Sequence, residues 1–435
     1  MIRVVLATCF ALIALPAAAV EIKEVTSPGG IKAWLVEEPS IPFTALEIRF
    51  KGGASLDLEG TRGAAYLMSG LLDEGAGELT STEFTLAAEE LALKYDFDVS
   101  SDSFSLSAQF LSENLDASVE LLRKALNEPR FDQDAIDRVR GQVLSIIASD
   151  SENPNDIAGK TFASLAYGDH PYASKLEGTA ESVTALTRED MIASHQALLT
   201  RDRVYVGAVG DITAEQLGVV LDKLLGALPA TGPEMPGPAP FLLSGGETIV
   251  PYDSPQSVAI FGQKGIERTD PDFFAAYVMN QVLGSGGFGS RLMDEVREKR
   301  GLTYGVYSYL VLREQVNLVM GQVSSSNDSI AEAISVIREE WAKMAEDGLT
   351  QEELKTAKTY LTGAYPLRFD GNARIANILA AMQFDDLPID YIDTRNDKVE
   401  AVTLEDIKRV SKRLLKPENL HFIVVGKPTG LDASN

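Results

Sequence analysis

The two halves of the chain repeat one another, and this repeat constrains the fold more than any other sequence feature. Residues 183–211 align with residues 399–427 without a gap. Upstream, AAYLMSGLL beginning at Ala64 matches AAYVMNQVL beginning at Ala275. Any two amphipathic helices can look alike by chance. Two matches in the same order and at nearly the same spacing instead indicate an internal duplication.

Each half also shows the same order of predicted elements. A strand precedes the AAY helix, alternating segments follow it, and each half ends on a helix and an apolar strand. The alternation of Phe104, Leu106, Ala108 and Phe110 with small polar residues has the period of a sheet with one buried face. Long amphipathic helices are predicted at residues 114–128, 132–149, 328–347 and 350–364. The pattern predicts an α+β chain of two homologous domains, each an antiparallel-rich sheet covered by helices.

A proline-rich stretch separates the two repeats. Five prolines fall between Leu228 and Glu247, where they favour an extended spacer. We therefore predict an N-terminal domain at residues 20–228, a linker at 229–246 and a C-terminal domain at 247–435. Both domains have an ordinary size for a single folding unit.

The first nineteen residues, MIRVVLATCFALIALPAAA, have the features of a secretory signal peptide. Arg3 precedes a short apolar run, which ends before an A-x-A cleavage signal. Cys9 lies inside that run, whereas a lipidated cysteine would follow it, so a lipid anchor is not expected. We predict a periplasmic or secreted protein that is not inserted in the membrane after signal cleavage.

Charge and histidine content exclude several classes of function. The formal charge of −25 is unsuited to nucleic acid, whose phosphates require a basic surface. His170, His195 and His421 do not share a helix at metal-ligand spacing, so a histidine-rich metal site on this chain is not expected. The chain also lacks a G-x-S-x-G elbow, a P-loop and a G-x-G-x-x-G after a strand.

The segment SRLMDEVREKRGLTYGVYSY carries the clearest candidate residues. Its pattern predicts a helix that begins near Ser290 and ends at Gly301, followed by a strand. Arg297 in the last helical turn and Tyr304 in the strand could converge at a sheet edge. Alternatively, Arg297 complements the helix dipole and Tyr304 is an ordinary half-buried strand residue.

A glycine loop precedes this helix. Its residues, Gly286, Gly287, Phe288 and Gly289, could let a peptide backbone approach closely, which would make them substrate-binding residues. They could equally form only a turn.

Three segments together resemble a known family. They are RGAAYLMSGLLDEGAGELTSTEF (62–84), YGDHPYASKLEGTAESVTALTRED (167–190) and GSRLMDEVREKRGLTYGVYS (289–308). The chain resembles the pitrilysin type of inverzincin metallopeptidases, which includes insulin-degrading enzyme and mitochondrial processing peptidase. The resemblance covers nearly all of the chain after the signal peptide, and it agrees with the duplication.

The resemblance also implies that the metal site is degenerate. Active members carry H-x-x-E-H on the first helix and a further glutamate on a later helix, which together provide the zinc ligands and the general base. Here the two histidine positions hold Tyr66 and Gly70, the base position holds Ser69, and the distal glutamate falls at Ile146 or its neighbour Ser145. We therefore expect no zinc on this chain. Gly70 is predicted to lie in the middle of a helix, where glycine is costly.

The Arg–Tyr pair of the family is retained in the second half. In the family, an arginine and a tyrosine seven residues apart stabilise the substrate carbonyl near the metal, and Arg297 and Tyr304 match this spacing. The resemblance thus implies a zinc-free subunit of a heteromeric zinc peptidase, whose homologous partner bears H-x-x-E-H and binds the zinc. The alternative is an inactive scaffold or peptide-binding module. A self-sufficient peptidase is disfavoured by the residues at the ligand positions.

Overall fold

The computed structural model describes residues 21–431, which form two large sheets with helices packed against them and one small two-stranded sheet. The signal-peptide prediction lies outside these residues. In the first half the elements are β1 (Lys23–Thr26), β2 (Lys32–Glu37), β3 (Phe43–Lys51), α1 (Ala64–Ser69), β4 (Gly75–Ala76), β5 (Leu79–Thr80), α2 (Ser81–Glu90), β6 (Lys94–Val99), β7 (Ser103–Leu111), α3 (Leu115–Asn127), α4 (Gln133–Ser151), α5 (Pro154–Tyr167), α6 (Ala180–Ala185), α7 (Arg188–Leu198), β8 (Val204–Gly210) and α8 (Ala214–Leu225).

The second half repeats most of this order. Its elements are β9 (Gly246–Pro251), β10 (Gln256–Lys264), α9 (Phe273–Asn280), β11 (Val306–Leu312), β12 (Asn317–Ser326), α10 (Ile330–Asp347), α11 (Gln351–Gly363), α12 (Asn372–Phe384), α13 (Tyr391–Glu400), α14 (Leu404–Leu414) and β13 (His421–Gly426). Residues 226–245, which include most of the proline-rich stretch, contain no helix or strand. None of the helices within residues 21–431 combines the length and the apolar content needed to cross a bilayer.

The two sheets have the same topology. The first has the strand order β1-β2-β8-β3-β7-β6, and the second, read from β9, has the order β9-β13-β10-β12-β11. In each sheet one pair is parallel, β2–β8 and β9–β13, and the other pairs are antiparallel. The predicted fold class is therefore confirmed, and β1 is the strand that the second sheet lacks.

The repeated segment forms the same helix N-terminal cap in both halves. Thr187 and Thr403 begin α7 and α14, and each hydroxyl accepts a hydrogen bond from the backbone N–H three residues on. The carboxylates of Asp190 and Asp406 accept a hydrogen bond from the threonine N–H and complete capping boxes. The predicted long helices correspond to α3, α4, α10 and α11, with ends that differ by a few residues at most.

One helix of each half packs on the sheet of the other half. α5 contributes Ala158 and Phe162 to a core cluster with Ile423 and Val425 of the second sheet. In return, α12 contributes residues to a cluster with the first sheet, namely Ile375, Ala376 and Leu379. The two halves therefore share apolar cores, which fixes the position of the second sheet relative to the first.

Candidate functional site

The degenerate metal site lies on α1 and α4. The Ser69 side chain is buried at 7% exposure and donates to the Tyr66 carbonyl at 2.8 Å. Gly70 does not lie in mid-helix as predicted. It follows the last residue of α1, and its N–H reaches the Tyr66 carbonyl at a long 3.4 Å. The Ser69 hydroxyl bonds to the same carbonyl, which is one reason the helix ends there.

The histidine and glutamate positions of the family carry no imidazole or carboxylate in this chain. A Cβ on Gly70 would lie 3.2 Å from Val139 Cγ1 of α4, so the two helices pack too closely for a larger side chain without a shift. Ile146 is exposed on α4 and offers no ligand atom, and the Ser145 hydroxyl donates to Gly141 O at 2.9 Å. Within residues 21–431, no group of three or more His, Cys, Asp or Glu side chains could bind a metal ion.

The three histidines have structural partners instead. His170 Nε2 lies 3.0 Å from Gly237 O, and His195 Nε2 lies 2.8 Å from Leu126 O. His421 contacts Ser244 O and the Thr248 hydroxyl, each at 3.0 Å. Each histidine therefore has a hydrogen-bonding partner within the described chain.

The second candidate region begins at the glycine loop, which is open to solvent. Phe288 is 71% exposed, and a Cβ at Gly287 or Gly289 would meet no other atom within 4 Å. Gly287 has φ of 57°, a left-handed conformation that glycine adopts without strain. A Cβ at Gly286 would instead lie 2.6 Å from Gln281 O. The loop backbone is accessible at Gly287 and Gly289.

A helix follows the loop and ends as predicted. Ser290 accepts a weak bond from Met293 N–H, and residues 293–298 have π-type hydrogen bonding, which is frequent at functional sites. Gly301 has φ of 65°, and its N–H donates to Arg297 O at 2.8 Å. Leu302 N–H donates to Val296 O, so the chain reverses after Arg297.

The Arg297 guanidinium lies over an aromatic ring and keeps an unused donor. Its central carbon is 4.6 Å from the Phe288 ring centroid, a cation–π contact that joins the helix to the glycine loop. Nη1 is buried and makes no hydrogen bond of good geometry within residues 21–431, although it forms a long ion pair with Glu298 Oε1. Its charged neighbour is the half-exposed Glu298, at 3.4 Å. The arginine is therefore held in place, although its hydrogen-bonding capacity is not fully used.

Tyr304 is not a half-buried strand residue. It lies in a bend two residues before β11 and is 87% exposed. The backbone around it is nevertheless well braced, because the buried Thr303 hydroxyl donates to Ser324 O at 2.6 Å and accepts from Gly305 N–H at 3.0 Å. The fold thus presents the Tyr304 side chain to solvent from a fixed position.

The two candidate residues lie on either side of one turn, at the edge of the second sheet. β11 is the edge strand, and it carries two further exposed aromatic residues, Tyr307 and Tyr309. The structure places the Arg297 guanidinium against Phe288 rather than against the Tyr304 ring. The contact between Arg297 and Phe288 was not predicted from the sequence. The signal for it was Phe288 itself, the one aromatic residue in a glycine loop that precedes the helix with Arg297.

An ion pair ties the Arg297 helix to α11. Arg291 Nε and Nη2 donate to the two Glu353 carboxylate oxygens at 2.7 and 2.8 Å. Burial alone would raise the pKa of Glu353, but hydrogen bonds from Arg291 and Thr350 outweigh it and lower the pKa to about 2. The pair therefore positions the start of the helix that carries Arg297.

We expect Glu353→Gln to lower the free energy of unfolding at pH 7 by about 1–2 kcal/mol, since a charge-assisted bidentate pair is lost. The folded pKa lies below the ordinary value of 4.5. The stabilisation is therefore complete above about pH 4.5 and is lost as the pH falls towards 2. Urea unfolding at pH 7 and pH 3 measures the effect, with the exposed neighbour substitution Glu352→Gln as control. A loss of equal size at both pH values would contradict the assignment.

Together, the fold and these positions define a two-domain, peptidase-like chain whose family metal-ligand positions hold Tyr66, Gly70 and Ile146. The family model described as insulinase (peptidase family M16) matches residues 32–180, and the one described as peptidase M16 inactive domain matches residues 185–361. The chain belongs to the M16 peptidase family, as the resemblance implied.

Two curated relatives match most of the chain. The "Non-peptidase homolog YmxG" of Helicobacter pylori is 26% identical over 392 residues, which are 89% of this chain and 90% of that protein. The "Uncharacterized zinc protease ML0855" of Mycobacterium leprae is 25% identical and covers 90% of this chain, with 88% of that protein matched. By name, one is a non-peptidase and the other a zinc protease.

Solved structures share the whole fold. A crystal structure titled as the peptidase M16 inactive domain from Pseudomonas fluorescens superposes with a TM-score of 0.88 at 27% identity, over 95% of this chain and all of that one. A protease from Helicobacter pylori superposes with a TM-score of 0.84 at 17% identity, over 94% of this chain and all of that one. The second likeness concerns the fold alone.

Proposed function

We propose that this protein is the zinc-free subunit of a heteromeric periplasmic zinc endopeptidase, most simply a heterodimer. Its partner is a homologous chain that bears H-x-x-E-H. The observation that carries the proposal is the state of the Arg–Tyr pair. The Arg297 side chain is held against Phe288 but is still 30% exposed, and Tyr304 is exposed on a braced backbone. Both side chains are available to a group supplied from outside the chain.

The chemistry assigned to the pair is stabilisation of negative charge. When a water attacks a peptide carbonyl, negative charge develops on the carbonyl oxygen. The partner's zinc would activate that water and polarise the carbonyl. Arg297 and Tyr304 would donate N–H and O–H bonds to the same oxygen, and donors fixed before the reaction need no reorganisation during it.

The glycine loop and β11 would bind the peptide. An extended peptide can add to a sheet edge through backbone hydrogen bonds, and β11 is an edge strand. Gly287 and Gly289 leave space for a peptide backbone, and Phe288 offers an exposed apolar surface. Tyr307 and Tyr309 would contact alternate peptide side chains.

A catalytically inactive scaffold or peptide-binding module of the same fold is the second candidate. It is supported by the degenerate site at Tyr66, Ser69, Gly70 and Ile146, and by the relative that is named a non-peptidase homologue. It requires no role for Arg297. The two candidates therefore differ in whether this chain contributes to turnover.

A mixing experiment separates them. The chain is purified alone and together with an H-x-x-E-H homologue, and cleavage of a quenched fluorescent peptide is measured with and without a chelator. We expect substoichiometric zinc and no turnover for this chain alone, and chelator-sensitive turnover for the mixture that exceeds that of the partner alone. Chelator-sensitive turnover by this chain alone would contradict both candidates, and a mixture no more active than the partner would favour the scaffold.

A further inference from the structure

A cavity separate from the Arg297 region lies within the second half of the chain. Its volume is about 260 Å³, and it lies between α12, α9 and α13. α12 uses one set of residues to pack on the first sheet and a different set, including Ile378 and Ala381, to line the cavity. The cavity thus adjoins the helix that packs on the first sheet, and it lies between helices, where ligand sites are common.

The cavity combines aromatic walls with positive charge. Six aromatic residues line it: Phe273, Phe274, Tyr277, Tyr365, Phe369 and Tyr391. Three arginines also line it, Arg268, Arg368 and Arg395, together with one acidic residue, Asp385. The whole chain has 64 acidic and 39 basic residues. The cavity, with more arginines than carboxylates, therefore has the opposite sign of charge from the chain as a whole.

Arg395 is the innermost charge. It is only 4% exposed, and its guanidinium lies over the rings of Tyr365 at 4.5 Å and Tyr277 at 5.4 Å. Its Nη1 donates to Leu361 O and to Asn396 Oδ1, at 2.8 and 2.9 Å. No carboxylate of residues 21–431 lies within 4.0 Å of its nitrogens. A buried guanidinium without a counter-ion is costly, and Arg395 has donors to spare.

Arg268 also leaves a hydrogen-bond donor unused, but its charge is partly compensated. Its Nε is buried and makes no hydrogen bond within the described chain, while Asp385 Oδ2 lies 3.5 Å away. Its Nη2 donates to the Tyr391 hydroxyl at 3.3 Å. Asp385 therefore compensates Arg268 in part, and Arg368 lies exposed at the rim. One unneutralised positive charge remains in the interior.

We propose that this cavity binds a carboxylate attached to an aromatic or similarly apolar group. The planar guanidinium of Arg395 matches a carboxylate, and the aromatic walls would cover the apolar body. A single interior charge favours a monoanion over a phosphate, which carries nearly two charges at neutral pH. The volume suits one ring and its carboxylate, as in a small aryl acid or the last residue of a peptide. This inference does not depend on the function proposed for Arg297.

Calorimetry on the full chain tests the proposal. The probes are N-acetyl-L-phenylalanine and its C-terminal amide, which differ mainly in the negative charge. We expect the acid to bind at least tenfold more tightly than the amide, and to raise the melting temperature where the amide does not. Equal affinities for acid and amide, or no binding of either, would overturn the proposal.

Variants locate the site. Arg395→Gln removes the charge but keeps a polar side chain, and Ala381→Phe fills the cavity without removing the arginine. We expect each to weaken binding of the acid at least tenfold, while Arg374→Gln, on the exposed part of α12, leaves it unchanged. Unchanged binding in both cavity variants would contradict the assignment.

A third probe identifies the source of the carboxylate. N-acetyl-Ala-Ala-Phe carries the same terminal residue on a peptide chain. Binding at least as tight as that of N-acetyl-L-phenylalanine would indicate a peptide C-terminus, because the extra residues must then leave the cavity freely. Tenfold weaker binding would indicate a small aryl carboxylate. Either outcome keeps the carboxylate assignment.

Discussion

Replacement of Arg297 by alanine is expected to lower kcat of the mixed complex by about 10²–10³-fold, with a much smaller change in KM. This is the range observed when one donor to a developing oxyanion is removed. The guanidinium would act on charge that exists mainly in the transition state, so its loss should affect turnover more than substrate binding. Steady-state kinetics on the complex, with zinc content measured in parallel, gives the result.

The matched control is Arg300→Ala, three residues further along the same segment. Arg300 pairs with Glu295 at 2.6 Å, and neither the fold nor the resemblance gives it a part in the reaction. Its replacement should leave kcat within about twofold. If the two substitutions lowered kcat equally, the effect would come from the local fold or from assembly rather than from the charge of Arg297.

Gly207→Val is expected to lower the free energy of unfolding by about 3 kcal/mol. Gly207 lies in β8 beneath α12, and a Cβ at this position would lie 2.2 Å from Ala376 O and 2.9 Å from Leu379 Cβ. Because one of these atoms belongs to the backbone, no side-chain rotation relieves the clash. The helix from the second half would have to move away from the first sheet, which would open the shared core.

Urea unfolding measures the loss, with Gly141→Ala as the control. Gly141 is exposed in α4, and a Cβ there meets no other atom within 4 Å. The alanine should raise stability by about 0.5–1 kcal/mol, since it restricts the unfolded chain and favours the helix. If Gly207→Val were as stable as the wild type, α12 would not be packed on β8 in solution.

Much of the fold could be predicted from local patterns and from the repeat. The alternation around Phe104 predicted β7, and the helical spacing of apolar residues predicted four long helices. The match between the two halves predicted two similar sheets. The exchange of α5 and α12 could not be predicted in this way. An apolar helix face shows that it is buried, but its sequence does not show which sheet covers it.

The candidate site was predicted less completely, for three reasons. The end of α1 at Ser69 depends on a side-chain hydrogen bond that competes with the helix. The exposure of Tyr304 depends on the bend in which it lies. Thr303 fixes this bend through a hydrogen bond to the neighbouring strand. The cavity beside α12 is lined by residues more than 120 positions apart, such as Arg268 and Arg395. Contacts between distant segments decide the exposure of Tyr304 and the lining of the cavity, and no local pattern encodes them.

The central claim is that this chain stabilises the transition state at a zinc site held by its partner. The most direct test compares a phosphinic peptide, which mimics the tetrahedral transition state, with the corresponding substrate peptide. The mimic is bound to the zinc-loaded complex and the substrate to the zinc-free complex, where it is not cleaved. We predict that the double substitution Arg297→Ala, Tyr304→Phe weakens binding of the mimic by about 100-fold or more and of the substrate by less than threefold. Equal losses for the two ligands, or no loss for the mimic, would contradict the claim.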